Sequence, residues 1–253
     1  MTQKIKLSKK LQSLVGKTNA EYCLIKEGDN VLIGLSGGKD SLSLIHAIKH
    51  IKRVAPFDFN FKAVTIGYGI GENFDYLKNH CKENNIDYEA IDTNIYDTAQ
   101  DSIRKNSSFC SYFSRMRRGA LYRYALEHGF NKLALGHHLD DAVESFFMNF
   151  MYNGTLRSMP PIYKAYNDIE VIRPLIFARE RQLAGFAKDN RLDTIGDEAC
   201  PAMKVNIKMP YARANTKQLL KKLENDNPEL FISLKTAFSN IQNDSFFYKK
   251  NLS

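Results

Sequence analysis

The chain has 253 residues, of which 43% are hydrophobic, 25% charged and 11% aromatic, and this composition excludes a disordered or fibrous protein. The N-terminal stretch MTQKIKLSKKLQ lacks the apolar core of a signal peptide, and apolar runs elsewhere are too short to span a bilayer, so we expect a cytoplasmic protein without a membrane partner. The 36 Lys and Arg outnumber the 28 Asp and Glu, and the net charge of +8 favours a polyanionic partner, although such an excess can also serve solubility alone.

The first hundred residues predict strands that alternate with helices. The buried run Val31–Leu35 is typical of a strand, and it is followed after Ser41 by a helix whose apolar residues recur with helical spacing. Strands at Phe61–Ile66 and Asp87–Asp92 come next, separated by a polar helix over about residues 73–84. The predicted order is therefore β-α-β-α-β.

The alternation continues in the second half of the chain, after a further helix and a polar loop. The predicted elements are a basic helix Ser111–His128, a strand Lys132–Gly136, a helix Asp140–Tyr152, a strand Val171–Leu175 and a helix over about residues 179–190. Five apolar side chains of the helix that starts at Asp140 are expected to face inward: Val143, Phe146, Phe147, Phe150 and Met151. Strands alternating with helices of this length predict an α/β fold with a doubly wound parallel sheet.

Beyond Pro201 the pattern changes to basic helices, with breaks at Pro210 and Pro228. We therefore expect a main domain over residues 1–205, which includes a short N-terminal helical lead, and a helical C-terminal extension over residues 206–253.

A glycine-rich hexapeptide, Ser36-Gly37-Gly38-Lys39-Asp40-Ser41, joins the first strand to its helix. Glycines let backbone amides approach an anion, and the helix dipole favours negative charge, so the hexapeptide predicts a phosphate cradle. It departs from the Walker pattern and from G-x-G-x-x-G. A glycine-rich turn can also serve chain geometry alone, and Asp40 would repel a phosphate unless a cation intervenes or the carboxylate caps the helix.

A second polar turn, Gly136-His137-His138-Leu139-Asp140-Asp141, follows the strand at residues 132–136. Because ligands bind at the carboxyl ends of strands in open α/β sheets, we expect this turn and the glycine loop to converge on one edge. Asp140 and Asp141 could hold Mg²⁺ against phosphates during nucleotidyl transfer, or they could simply cap the helix.

Two segments carry local excesses of positive charge. Residues 104–132 contain seven Lys or Arg against one acid, and residues from 201 onward contain nine against four, giving local excesses of +6 and +5. Interleaved tyrosines such as Tyr112 and Tyr122 suit a phosphate backbone with bases to stack on, which favours RNA. A solvated helix face would show the same pattern.

Four separated runs of the chain resemble one family. They are KEGDNVLIGLSGGKDS, FSRMRRGALYR, GHHLDDAVESFFMNFMYNGTLRSMPP and VIRPLIFARERQLAGFAKDN. The SGGKDS loop resembles that of the PP-loop ATP pyrophosphatase superfamily, and the four runs, over roughly residues 7–206, resemble the tRNA 2-thiocytidine synthetase (TtcA) family. The resemblance implies a Rossmann-like fold of the adenine nucleotide alpha hydrolase type. It also implies an ATP-dependent sulfurtransferase that adenylates C2 of the cytidine at position 32 of the tRNA anticodon loop and replaces its oxygen with sulfur.

The same resemblance implies roles for individual residues. Residues 36–41 would hold the ATP pyrophosphate, and Ile66, Gly136 and His137 would complete the nucleotide site. Lys39, Asp140 and Asp141 would carry catalysis, and Asp141 would also hold Mg²⁺. The tRNA would contact three arginines, Arg115, Arg117 and Arg118. The implied partners are tRNA, a sulfur donor such as a cysteine desulfurase and, as an option, a second copy of the chain in a homodimer.

The four cysteines, Cys23, Cys81, Cys110 and Cys200, show no CxxC spacing, which excludes a disulfide framework and a zinc ribbon. In the family, a CxxC before the SRxRRG motif and a later cysteine hold an iron-sulfur cluster. Here Phe113 stands at the second position of that CxxC. Downstream, where the family has a closely spaced cysteine pair, Cys200 is retained and Asp197 stands at the other position. A second departure is Gly67–Gly71, which replaces a longer polar stretch.

Three interpretations of Cys110 and Cys200 stay open. They could be buried as apolar side chains, they could ligate an unusual cluster with Asp197 as an oxygen ligand, or they could form a persulfide pair without a cluster. Two alternative functions also remain: a cluster-free PP-loop ligase that adenylates a different substrate, and a nucleotide-binding regulator without catalysis.

Overall fold

The computed structural model describes residues 5–102, 109–165, 168–195 and 211–246. Its strands are β1 (Asn30–Gly34), β2 (Asn60–Ile66), β3 (Tyr88–Ile91), β4 (Lys132–Ala134), β5 (Ile162–Lys164) and β6 (Glu170–Ile172). Its helices are α1 (Lys9–Tyr22), α2 (Lys39–Val54), α3 (Asp75–Glu83), α4 (Ile95–Ser102), α5 (Phe109–Glu127), α6 (Leu139–Asn153), α7 (Glu180–Asp189), α8 (Tyr211–Asp226) and α9 (Leu230–Ser239). Among these helices, none has the length and apolar character needed to cross a bilayer.

The strands form one sheet in the order β3-β2-β1-β4-β6-β5. All neighbouring pairs are parallel except β5, which runs antiparallel to β6 at the edge. This arrangement confirms the predicted α/β sheet, whereas the three-residue β5 was not predicted. Since β2 and β3 lie on one side of β1 and β4 on the other, the direction of strand succession reverses between β1 and β4. Such a reversal opens a crevice at the carboxyl ends of the two strands.

Side chains of β1 alternate between two apolar cores, one on each face of the sheet. Val31 and Ile33 point into a core built with α1, α2, α3 and α7, whereas Leu32 points into a core built with α5. Helices on both faces are the defining feature of a doubly wound sheet, as the alternating pattern predicts. The loop between β1 and α2 is thus anchored by a strand that is buried on both sides.

The helix α6 differs from the sequence prediction in its second half. Val143 is fully buried, and Phe146 and Phe147 are partly buried, but Phe150 is 55% and Met151 39% exposed, so the expectation that these last two face inward is wrong. The physical reason is that α6 packs mainly on other helices: its first three turns meet apolar residues of α8 and α9 in a third core. Helical spacing identifies an apolar stripe but does not tell how far along the helix its partners reach.

Candidate active site

The glycine loop adopts a shape that only glycine permits at its second position. Gly37 has a φ of +85°, and a Cβ there would overlap the Tyr76 hydroxyl. The loop is closed by Ser41, whose Oγ lies 3.1 Å from the Ser36 amide and 3.1 Å from the Ser36 hydroxyl. Gly38 precedes the first turn of α2 and provides no side-chain cap, so backbone amides at this helix end are open to an anion.

Lys39, at the start of α2, faces two carboxylates. Its Nζ lies 2.9 Å from Glu180 Oε1 on α7 and 3.5 Å from Asp40 Oδ2. Burial acts to lower the pKa of Lys39, but the hydrogen bond to Glu180 and the charge of Asp40 outweigh it and raise the pKa above its ordinary value. Lys39 is therefore a cation at neutral pH, held at the mouth of the loop. Glu180 was not singled out from the sequence.

The turn after β4 meets the glycine loop, as expected from the positions of the two strands. A Cβ on Gly136 would come within 3.1 Å of the Asp40 carbonyl, so the two backbones are in contact and a larger residue would push them apart. His138 and Asp141 form a reciprocal cap at the start of α6: the His138 amide donates to Asp141 Oδ2 at 3.1 Å, and the Asp141 amide donates to His138 Nδ1 at 3.4 Å. The capping role predicted as one option is thus present.

Asp40 and Asp141 share His138 as a neighbour. The imidazole Nε2 lies 3.8 Å from Asp40 Oδ1 and 3.4 Å from Asp141 Oδ2. Asp40 Oδ1 is buried and has no hydrogen-bond partner within the described residues. Burial raises the pKa of Asp40, more than His138 and Lys39 lower it. The site therefore holds a carboxylate oxygen that no described residue hydrogen-bonds, and a bound cation would stabilise its charge.

Asp140 is held by an arginine that sequence reasoning missed. Arg179 donates from Nε and Nη2 to Asp140 at 3.1–3.2 Å, and the Glu180 amide donates to Asp140 Oδ2 at 2.7 Å. The same guanidinium binds both oxygens of Glu224 on α8, at 2.8 and 3.0 Å, and lies 3.4 Å from the centre of the Phe231 ring on α9. Arg179 thus joins the turn at α6 to both C-terminal helices.

A second link between α6 and α8 runs through Arg213 and Lys217. Arg213 contacts Asp141 Oδ1 at 3.2 Å and Glu144 Oε2 at 3.1 Å, and Lys217 lies 3.5 Å from Glu144 Oε1. Glu144 is only 5% exposed, and burial raises its pKa more than the two cations lower it. The C-terminal segment therefore supplies positive charge directly beside the predicted catalytic carboxylates.

The two remaining nucleotide-site candidates lie at the same edge. Ile66 ends β2 and is 5% exposed. His137 Nδ1 accepts a hydrogen bond from Arg173 Nε at 3.2 Å, and burial, together with the Arg173 charge, lowers the pKa of His137 to about 4. His137 is consequently neutral at physiological pH, a state that suits contact with an uncharged base or ribose.

The three predicted RNA-binding arginines lie on α5 in different settings. Arg115 is exposed and lies over the Tyr112 ring, Arg118 is partly exposed, and Arg117 Nη1 donates to the Tyr68 hydroxyl at 2.9 Å.

Cys110 lies in α5 but its side chain is not described, and Asp197 and Cys200 lie outside the described residues. In the described part of the chain, no group of three or more His, Cys, Asp or Glu is placed to hold a metal ion.

Comparisons with known proteins place this architecture in a family. A model of the PP-loop domain matches residues 3–221. The tRNA-cytidine(32) 2-sulfurtransferase of Geobacter metallireducens is 39% identical over 92% of this chain and 90% of its own length, and that of Methylococcus capsulatus is 37% identical over 93% and 81%. Among solved structures, the U34-tRNA thiolase NcsA from Methanococcus maripaludis, determined with its [4Fe-4S] cluster, aligns with a TM-score of 0.74 at 23% identity, covering 97% of this chain and 84% of that one.

The structural alignment supports a Rossmann-like fold of the adenine nucleotide alpha hydrolase type. The sequence matches also identify the family. They extend over nearly the whole chain, including the glycine loop, the turn before α6 and part of α8. The chain therefore belongs to the ATP-binding PP-loop superfamily and, within it, to the family of the tRNA-cytidine(32) 2-sulfurtransferases.

Proposed function

We propose that this protein uses ATP to adenylate the C2 oxygen of cytidine 32 in tRNA and then replaces that oxygen with sulfur. The cytidine position and the sulfur transfer follow the names of its relatives, and the use of ATP follows the PP-loop domain. The observation that carries the proposal is the contact between the glycine loop and the turn before α6, which gathers a cation, open helix amides and carboxylates at one sheet edge. In the first step the C2 oxygen attacks the α-phosphorus and pyrophosphate leaves. In the second step a sulfur nucleophile at the oxidation level of sulfide attacks C2, the bond between C2 and the adenylated oxygen breaks, and AMP leaves with that oxygen.

In the first step, the charge that develops on pyrophosphate has to be stabilised by this chain. The amides at the start of α2 are positioned to donate hydrogen bonds to it. The hydroxyls of Ser36 and Ser41, which donate to Ser41 Oγ and to the Gly38 carbonyl, would turn to join them when ATP binds. Lys39 adds a full positive charge. When ATP binds, its Nζ would leave Glu180 and contact the phosphates. Neutral His137, with Ile66, would flank the adenosine.

The residues present also fit Mg²⁺, which usually takes one or two protein carboxylates together with substrate phosphates and water. Asp141 is the proposed ligand, with Asp40 beside it, because the orphaned Asp40 oxygen lies near the same His138 edge. When bound, Mg²⁺ would neutralise charge on the phosphates. Asp140, whose oxygens already accept hydrogen bonds from Arg179 and the Glu180 amide, would act by fixing the α6 turn.

For tRNA we propose α5 as the main contact, with the C-terminal helices beside it. Replacing both Arg115 and Arg118 with alanine is expected to weaken tRNA binding by about tenfold and to lower the salt dependence of log Kd by about 1.5, since each lost phosphate contact removes roughly 0.7–0.9. Filter binding or fluorescence titration over a salt series measures both quantities. Arg53→Ala, an exposed arginine at the far end of α2, is the control and should bind like wild type. An equal loss in the control would show that only net charge matters.

The decisive experiment is mass spectrometry of tRNA nucleosides from a strain in which the gene is deleted. We expect 2-thiocytidine to disappear and to return when the wild-type gene is supplied. Retained 2-thiocytidine together with ATP-to-AMP turnover by the purified protein would point to a ligase that adenylates another substrate. Retained 2-thiocytidine without turnover would point to a nucleotide-binding regulator.

The remaining parts of the proposal concern organisation and partners. Residues 1–205 would carry the ATP chemistry, and residues 206–253 would form a helical extension that adds charge beside it, an arrangement supported by the contact of Arg213 with Asp141. A cysteine desulfurase would supply sulfur, and the reaction would take place in the cytoplasm, where ATP and tRNA are found. A homodimer could bury the exposed apolar side chains at the end of α6, Phe150, Met151 and Tyr152.

A further inference from the structure

A second inference concerns the sulfur site of this protein, and it rests on the thiolation reaction proposed above. We propose that this chain works without an iron-sulfur cluster, because a set of packed rings stands at the place of a cluster ligand. We call this set the aromatic cluster, and it consists of Tyr68, Tyr96, Tyr112 and Phe113.

Phe113 is the centre of the aromatic cluster and is only 1% exposed. Its ring meets Tyr68 edge-on at 5.5 Å and Tyr112 edge-on at 6.1 Å, and it stacks on Tyr96 at 6.4 Å with an angle of 10° between the planes. These distances and angles are those that aromatic pairs prefer. A phenyl ring has no lone pair to donate to iron, so Phe113 cannot serve as a cluster ligand.

The other departure from the family, the short stretch at residues 67–71, forms the opposite wall of the same cluster. Gly69 has a φ of +86°, and a Cβ there would run into the Thr93 carbonyl, so the tight turn requires glycine. The Tyr68 amide donates to Glu72 at 2.6 Å, and the Tyr68 carbonyl accepts from the Tyr96 amide at 2.9 Å. The two stretches that differ from the family in sequence are thus in contact in space.

The position of the other thiols leaves too few ligands for a cubane cluster. Cys81 is fully buried in the core on the opposite face of the sheet from Phe113. Cys23 is exposed at the end of α1, which packs on that opposite face. Of the four cysteines, Cys110 and Cys200 are the two that the family motifs assign to a cluster, one fewer than the three cysteines of those motifs. A [4Fe-4S] cluster is ordinarily held by four thiolates.

The inference is tested by anaerobic reconstitution of the purified full-length protein with iron and sulfide, followed by iron analysis and visible and electron paramagnetic resonance spectroscopy. Under the same conditions the NcsA thiolase of Methanococcus maripaludis is the positive control, because its structure holds a [4Fe-4S] cluster. We expect fewer than one iron per chain here, against about four in the control. About four irons with a cluster spectrum that Cys110→Ser abolishes would overturn the inference.

A matched pair of variants tests whether Phe113 is the replaced ligand. Phe113→Cys and Phe113→Ser both remove the ring, but only the first supplies a thiol one turn from Cys110. We expect iron uptake in Phe113→Cys to exceed that in Phe113→Ser several-fold, with circular dichroism showing both folded. Equal uptake would contradict the assignment of Phe113.

Iron content and tRNA thiolation are measured independently, so either proposal can be contradicted without the other. Loss of 2-thiocytidine on deletion, combined with a complete cluster in the wild-type protein, would keep the thiolation and overturn the cluster-free site. Retained 2-thiocytidine would overturn the thiolation whatever the iron content.

Discussion

Lys39→Ala is expected to abolish the release of AMP and pyrophosphate from ATP, with a loss of at least about 100-fold in turnover, the usual cost of removing one preorganised charge that stabilises a transition state. Lys39 is the cation of the glycine loop, and its Nζ lies 2.9 Å from Glu180. Without it, the leaving pyrophosphate would keep the amides of α2 but lose the positive charge that the loop supplies. Pyrophosphate release in the presence of tRNA measures the effect.

The matched control for this variant is Lys52→Ala, in the last turn of the same helix, where the charge is paired with Asp58. It should turn over like wild type. The Lys39 side chain is 31% exposed, so its removal should leave the fold intact, which circular dichroism and thermal unfolding can check. Unchanged pyrophosphate release by Lys39→Ala would refute the assignment of the loop as a phosphate cradle.

The glycine loop and the turn before α6 could be located from sequence because their signals are local. A buried run, a glycine pair and a helix start within a dozen residues identify the loop around Gly37, and a strand followed by polar residues identifies the turn at His138. The meeting of the two then follows from the rule that parallel strands present their carboxyl ends at one edge. The sheet and the edge that carries the site were predictable for this reason.

The ion pairs that complete the site could not be predicted in the same way. Arg179 and Asp140 are 39 residues apart, Arg213 and Asp141 are 72 apart, and Lys39 and Glu180 are 141 apart. No periodicity links such positions, and each side chain taken alone is typical of a solvated helix face. The positive charge of the C-terminal segment was recognised, but it was assigned to tRNA as a whole, whereas the structure directs part of it at Asp141 and Glu144.

The apolar pattern failed for a related reason in the second half of α6. Phe146 and Phe150 lie on one helix face and stack on each other, and Phe146 also contacts Phe238 of α9, whereas Phe150 is 55% exposed. Whether an apolar side chain is covered depends on where the next helix ends, and that is decided by tertiary packing rather than by the helix itself.

Arg179→Met is expected to lower the free energy of unfolding by about 3 kcal/mol, because removing one member of a buried ion-pair network leaves its partners uncompensated. The Arg179 side chain is 13% exposed, and those of its partners Asp140 and Glu224 are 14% and 25% exposed. Little water can therefore reach the two carboxylates to replace the hydrogen bonds from the guanidinium. The stacking of the guanidinium on Phe231 is lost as well. Urea unfolding followed by circular dichroism measures the change.

The matched control is Arg181→Met on the same helix, whose guanidinium lies 3.5 Å from Glu224 but is 71% exposed, so its loss should cost less than about 1 kcal/mol. The pH dependence gives a second check. The hydrogen bond from Arg179 holds the pKa of Glu224 below its ordinary value of 4.5, so this part of the stability is present above that value and is lost as the pH falls through the lowered pKa. The difference between wild type and Arg179→Met should therefore shrink in acid. An equal free energy of unfolding for the two methionine variants at neutral pH would show that the buried contacts of Arg179 stabilise the fold no more than the exposed ion pair of Arg181 does.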